Sequence, residues 1–132
     1  MITEQYVSFG TAKLLKKAGF DEVCATFYSS KEGAPVLLHS RNSELEKKHY
    51  SRPTQALAAR WLREVHGLNI SACFNSNTYK SAVKGWFYMR EDTNRNDPDS
   101  VYCDIQDYES YEAAFEAGLQ KALKLIIKNK EQ

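Results

Sequence analysis

Two stretches of helical period stop at a glycine and hand over at once to strand-like residues, and this handover limits the folds open to the chain. Phe9, Ala12, Leu15 and Ala18 recur at helical spacing and stop at Gly19; Leu57, Ala58, Trp61, Leu62 and Val65 do the same and stop at Gly67. Glycine just past a helix adopts the left-handed conformation without a Cβ penalty, so each is a helix end with a mechanism. After Gly19, Val23 to Ser29 is rich in β-branched and aromatic types, and the turn Lys31-Glu32-Gly33-Ala34-Pro35 leads to a short apolar run, Val36 to Ser40. After Gly67, Ile70, Ala72 and Phe74 alternate with Asn69, Ser71, Cys73 and Asn75, and Ala82 to Arg90 alternates again. A helix followed by two strands therefore occurs twice. Ala12 to Lys17 faintly echoes Ala59 to Glu64, with one residue inserted before Gly67.

Caps sharpen the helices. Ser8 is the expected N-cap of the first, which spans Phe9 to Ala18, and Phe20 at C″ suits a Schellman end closing on Leu15. The second is expected to start near Pro53, whose fixed φ and missing N–H suit the first helical position. A third begins near Tyr111 behind Ser110, with a stripe of Tyr111, Phe115, Leu119, Ala122 and Ile126, widened by Gly118, Leu123 and Leu125. Gly118 costs about 1 kcal/mol relative to Ala inside a helix, which points to a close approach by another backbone. A fifth strand candidate covers Val101 to Ile105. The order is α-β-β-α-β-β-(β)-α, which predicts an α+β, two-layer fold: an antiparallel sheet of four or five strands, with three helices on one face and the other face open.

A length of 132 residues fits one domain, 1–132, and 42% hydrophobic against 27% charged residues excludes a disordered chain. A net charge of +1 argues against a general polyanion binder. That total conceals a basic middle, with nine Lys/Arg against three acidic residues over 41–90, and an acidic stretch, with nine acidic residues against Arg95 alone over 91–116. The simpler reading of this asymmetry sets the two stretches side by side in one fold. The N-terminus, Met1 to Gln5, has no basic n-region before an apolar core, and no apolar run reaches the ~18 residues of a membrane span. The expected address is the cytoplasm, with no membrane partner. Cys24, Cys73 and Cys103 are odd in number and form no C-x-x-C pair, which fits free thiols in strands.

The segments Val7 to Asp21, Pro53 to Val65 and Tyr108 to Ile126 resemble a family of small uncharacterised proteins found in Bacteroidetes genomes and their phages or mobile elements. The likeness covers the helices, while the strands match poorly, and Gly10 stands where the family pattern has an acidic residue. The resemblance implies an origin in such genomes or elements rather than a mechanism, and brings no catalytic residue, cofactor or substrate.

Chemical motifs are sparse. His39, His49 and His66 with the three cysteines supply the residue types for nucleophilic catalysis, but in no motif. Zinc-ligand spacing does not occur, and no Gly-rich phosphate loop is present. Asp92, Asn94 and Asn96 alternate as in a calcium loop, yet Asp97 occupies the place of its turn glycine and Cys103 that of its closing Glu. Glu112 and Glu116 share a helix face and read as solvated first-turn acids. A helix-turn-helix fails because a strand follows Gly67. No catalytic residue, metal site or cofactor is expected.

The one constellation with binding chemistry lies on the 82–90 strand. If Val83, Phe87 and Met89 face the helices, Lys84, Trp86, Tyr88 and Arg90 project from the open face. Alternating rings and cations there suit bases and phosphates of a single strand, or a protein or dimer contact, while the plainer reading packs Trp86 and Tyr88 against cross-strand neighbours or a loop. The sequence thus predicts a non-enzymatic binding or accessory protein that acts on a protein partner or on itself. Single-stranded nucleic acid bound on the Lys84/Trp86/Tyr88/Arg90 face is the alternative.

Overall fold

The computed structural model describes residues 1–75, 85–94 and 100–131. In chain order its elements are α1 (Phe9–Ala18), β1 (Cys24–Tyr28), β2 (Val36–Ser40), β3 (Tyr50–Ser51), α2 (Gln55–His66), β4 (Leu68–Asn75), β5 (Gly85–Asp92), β6 (Val101–Tyr108) and α3 (Tyr111–Lys130). The class is α+β with antiparallel strand pairing throughout these elements. The strands divide between two three-stranded sheets, ordered β2-β1-β3 and β4-β5-β6, where the sequence pointed to one. The unforeseen two-residue β3 takes the second edge of β1 and makes β1 the central strand of its sheet. Helix-then-three-strands occurs twice, but the first strand after the helix is central in one sheet and marginal in the other. Cα positions group into two compact units, 1–58 with 123–132, and 59–122, so that α2 and α3 each contribute to both.

In the first unit, α1 has both predicted ends. Ser8 Oγ accepts from the Thr11 N–H at 3.2 Å, and Gly19 is left-handed at φ 100° while the Phe20 N–H closes on the Leu15 carbonyl at 2.9 Å. Phe9 stands edge-on to Tyr28 and Tyr50, which are paired across β1 and β3, and this fixes α1 against that sheet. Asn42 is buried and joins three segments: its Nδ2 donates to the Phe20 carbonyl and its Oδ1 accepts from the Ser51 N–H, both at 2.9 Å. The Lys16 ammonium donates to the carbonyls of Glu46 and His49 at 2.8 Å, holding the irregular chain before β3. α2 starts later than expected. Thr54 is its cap, with Oγ1 accepting from the Leu57 N–H at 3.1 Å, while the Pro53 carbonyl is held by the Val7 N–H at 3.0 Å in chain that is still extended.

In the second unit, β4 and β5 pair without interruption from Leu68↔Asp92 to Asn75↔Gly85. β5 then pairs β6, with an irregularity between Trp86 and Tyr88. Of the basic stretch, Arg90 lies in this sheet, paired with Tyr102 of the acidic one. Gly67 is left-handed at φ 67°, and its carbonyl accepts from both the N–H and the hydroxyl of Thr93, tying the end of α2 to the chain after β5. Ser110 caps α3 as predicted, its Oγ accepting from the Ala113 N–H at 3.0 Å. α3 lies on one face of this sheet, with Gly118 over Ile70 and Tyr88. Val65, read as part of the apolar stripe of α2, is exposed instead.

Candidate functional site

The proposed face of the 82–90 strand is turned over. Tyr88 is buried at 3% exposure, against α3 at Gly118, and pairs with Ala72 on one side and Asp104 on the other. Trp86, two residues away on the same face, stands edge-on to Tyr111 of α3 at 5.6 Å and touches Phe74 at 5.1 Å. The Arg90 guanidinium lies over the Tyr102 ring at 5.0 Å. Trp86, Tyr88 and Arg90 therefore face the helix, and Phe87 and Met89 take the opposite side; Lys84 lies outside the described residues. A one-residue change of phase exchanges the faces of a strand, and here both faces carry large apolar groups, so alternation alone did not choose between them. The choice rests on remote residues. Gly118 leaves room for the Tyr88 ring, and Asp104 accepts a hydrogen bond from its hydroxyl. Burial, then the Asp104 carboxylate, push the Tyr88 phenol well above its ordinary range.

The Asp104 carboxylate also accepts from the Tyr108 hydroxyl at 3.1 Å. This arrangement cross-links β5 to β6 and leaves Tyr88 without access to solvent, so it is structural polar chemistry rather than a stacking platform. The side opposite α3 carries half-buried Cys73, Phe87 and Met89 with exposed Cys103 and Val101.

The thiols and imidazoles stay in separate surroundings. Cys24 is buried on β1 with its thiol directed to the Glu22 carbonyl at 3.6 Å, whereas Cys103 is exposed on β6. His49 stacks on Phe27 at 5.1 Å, His66 meets Trp61 edge-on at 4.8 Å, and His39 is exposed on β2. Among the described residues no group of three His, Cys, Asp or Glu side chains is arranged to hold a metal ion.

The feature that sequence reasoning missed is β2. It is a margin of its sheet, and among the described residues no strand pairs its outer edge. Val36, Leu37 and Leu38 are 38%, 84% and 53% exposed, so apolar side chains emerge from both faces of this edge strand. Natural edges are commonly guarded by charge, proline within the strand, or a bulge, but Val36–Ser40 has no charged residue and no proline. The irregularity of its pairing with β1 lies in β2 itself, where the step from Leu37 to Ser40 opposes the shorter step from Thr26 to Cys24, and the Leu38 carbonyl accepts from the Ser40 hydroxyl at 3.2 Å.

No helix among the described residues is long and apolar enough to cross a membrane. Comparisons with protein-family models, curated proteins and solved structures gave no significant match.

Proposed function

We propose that the chain is a small non-enzymatic interaction module that acts by accepting a polypeptide strand along the outer edge of β2, as an accessory protein of the mobile-element kind its helices resemble. One observation carries this reading: an uncharged edge strand that exposes Val36, Leu37 and Leu38 at a margin no described strand pairs. Strand addition supplies backbone hydrogen bonds along the edge, and alternate side chains find apolar surface on both faces. The nucleic-acid alternative loses its geometric support, because Tyr88 is buried, Trp86 is engaged by Phe74 and Tyr111, and Arg90 is held over Tyr102.

Selection of a displayed random-peptide library on the folded protein tests the reading. Extended, apolar peptides are expected to be enriched, and their binding is expected to be lost in Leu37→Lys, a substitution at a side chain that is almost wholly in solvent. Selected peptides whose binding ignores Leu37→Lys, or a selection that yields no binder, would overturn it.

A further inference from the structure

We infer that the Arg52 guanidinium is a binding site for a carboxylate, held ready by rings and hydroxyls that orient it without neutralising it. Arg52 follows β3, at the margin opposite β2, so the site is independent of the edge reading above. Its backbone N–H donates to the Thr26 carbonyl at 3.0 Å, which carries the contact between β1 and the β3 chain one residue further. In the side chain, Nε donates to the Tyr28 hydroxyl and Nη1 to the Thr26 hydroxyl, each at 3.3 Å. The Tyr28 hydroxyl is committed in turn, donating to the Val7 carbonyl at 2.6 Å. The Tyr6 ring lies against the guanidinium with its centroid 3.9 Å from Cζ, and the Tyr28 centroid lies 5.6 Å away. Tyr6 is itself fixed, bridged to Thr54. The Val7 N–H donates to the Pro53 carbonyl at 3.0 Å and the Gln55 N–H to the Gln5 carbonyl at 2.8 Å on either side of it.

None of these partners carries a charge. Both side-chain acceptors are neutral hydroxyls, and among the described residues no carboxylate pairs with Arg52 and no acceptor meets its Nη2. Arg60, by contrast, meets Glu64 at 3.2 Å on an open helix face. Arg52, Tyr6 and Tyr28 are half-buried and Thr26 is buried, so the cation has given up part of its hydration to uncharged groups. A guanidinium stays protonated and presents its donors in a planar fork. With Nε engaged and Nη1 holding one hydroxyl, the donors left over belong to Nη1 and Nη2. That pair meets the two oxygens of a carboxylate side by side. One positive charge on one planar fork suits a carboxylate better than a phosphate group, which carries about −1.5 to −2 near neutral pH. Because rings and hydroxyls already fix the side chain, the entropy of ordering a free arginine is met before a ligand arrives.

Titration with sodium acetate against sodium chloride at equal ionic strength tests this, read by NMR from the Arg52 Nε–H and the backbone amides. Saturable shifts centred on Tyr6, Tyr28 and Arg52 are expected with acetate and not with chloride. Arg52→Lys keeps the charge and removes the fork, and is expected to abolish the saturable response in a chain whose spectrum is otherwise that of the folded protein. Tyr6→Leu removes the supporting ring and is expected to weaken acetate binding several-fold. Shifts that are equal in chloride, that never saturate, or that persist unchanged in Arg52→Lys would overturn the site. Inorganic phosphate binding more tightly than acetate would overturn the carboxylate assignment. A short peptide with a free C-terminus separates the sources of the carboxylate. Binding tighter than that of acetate and lost on amidation supports a polypeptide end, and binding equal to that of acetate supports a small organic acid.

Discussion

Gly118 of α3 rests on the Tyr88 ring of β5: a Cβ placed on Gly118 would lie 3.1 Å from Tyr88 Cδ2 and 2.7 Å from Ile70 Cγ2. The sequence flagged this glycine for its helix cost, and the neighbour that explains it consists of side chains rather than backbone. Alanine would regain about 1 kcal/mol of helix propensity. It would also drive a methyl into the branched Ile70 and the ring, and overpacking of that kind costs about 1–3 kcal/mol. Gly118→Ala is therefore expected to be destabilising on balance, read as a lower urea midpoint with an unchanged m-value.

Tyr88 and Tyr108 share the Asp104 carboxylate, which makes their contributions interdependent. Tyr88→Phe keeps the packing and is expected to cost about 1.5–3 kcal/mol, the worth of a hydrogen bond to a charged group. Combined with Asp104→Asn, the loss should fall short of the two single losses added together. Because the folded protein holds the Tyr88 phenol above its ordinary range, that part of the stability is complete below about pH 10 and declines as pH rises beyond it. Chemical denaturation across alkaline pH should show a shallower decline in Tyr88→Phe than in the parent.

The three thiols should react in order of exposure. Cys103 is exposed, Cys73 half-buried and Cys24 buried, so a thiol reagent followed by peptide mass spectrometry should label them in that sequence. Burial, followed by the Glu22 carboxylate, pushes the Cys24 thiol up to about 11 from 9.0. A raised thiol favours folding while it is neutral, so its contribution is complete below pH 9.0 and is lost as pH rises toward about 11. Labelling of Cys24 ahead of Cys103 under native conditions would contradict the placement of both strands.

Lys16 holds the chain before β3 through the Glu46 and His49 carbonyls, and partial burial lowers its pKa from the usual lysine range. Lys16→Met retains the aliphatic stem and removes the donors. Hydrogen exchange over 45–51 should quicken, with a stability loss of about 1 kcal/mol, small because the site is partly open to water.

The helices were legible because their information is local. Ser8, Gly19 and Ser110 act within a turn of their own positions, and each does what its residue type dictates. Pro53 misled because its carbonyl is engaged by Val7, a residue far away in sequence, which keeps the chain extended until Thr54. β3 is only two residues long and has no periodicity to read. The face of β5 was undetermined by Trp86/Tyr88 against Phe87/Met89, since either pair could be buried; Gly118 and Asp104 decide it from other elements. The exposure of β2 was equally hidden, because an apolar run resembles core until the sheet order shows it at a margin.

Hydrogen exchange of the β2 amides, measured with and without a library-selected peptide, tests the central claim most directly. Strand addition at this edge predicts that protection across 37–39 rises when the peptide binds while that of β6 does not. Protection in β2 that is unchanged by bound peptide, or a rise confined to β6, would contradict the assignment of β2 as the accepting edge.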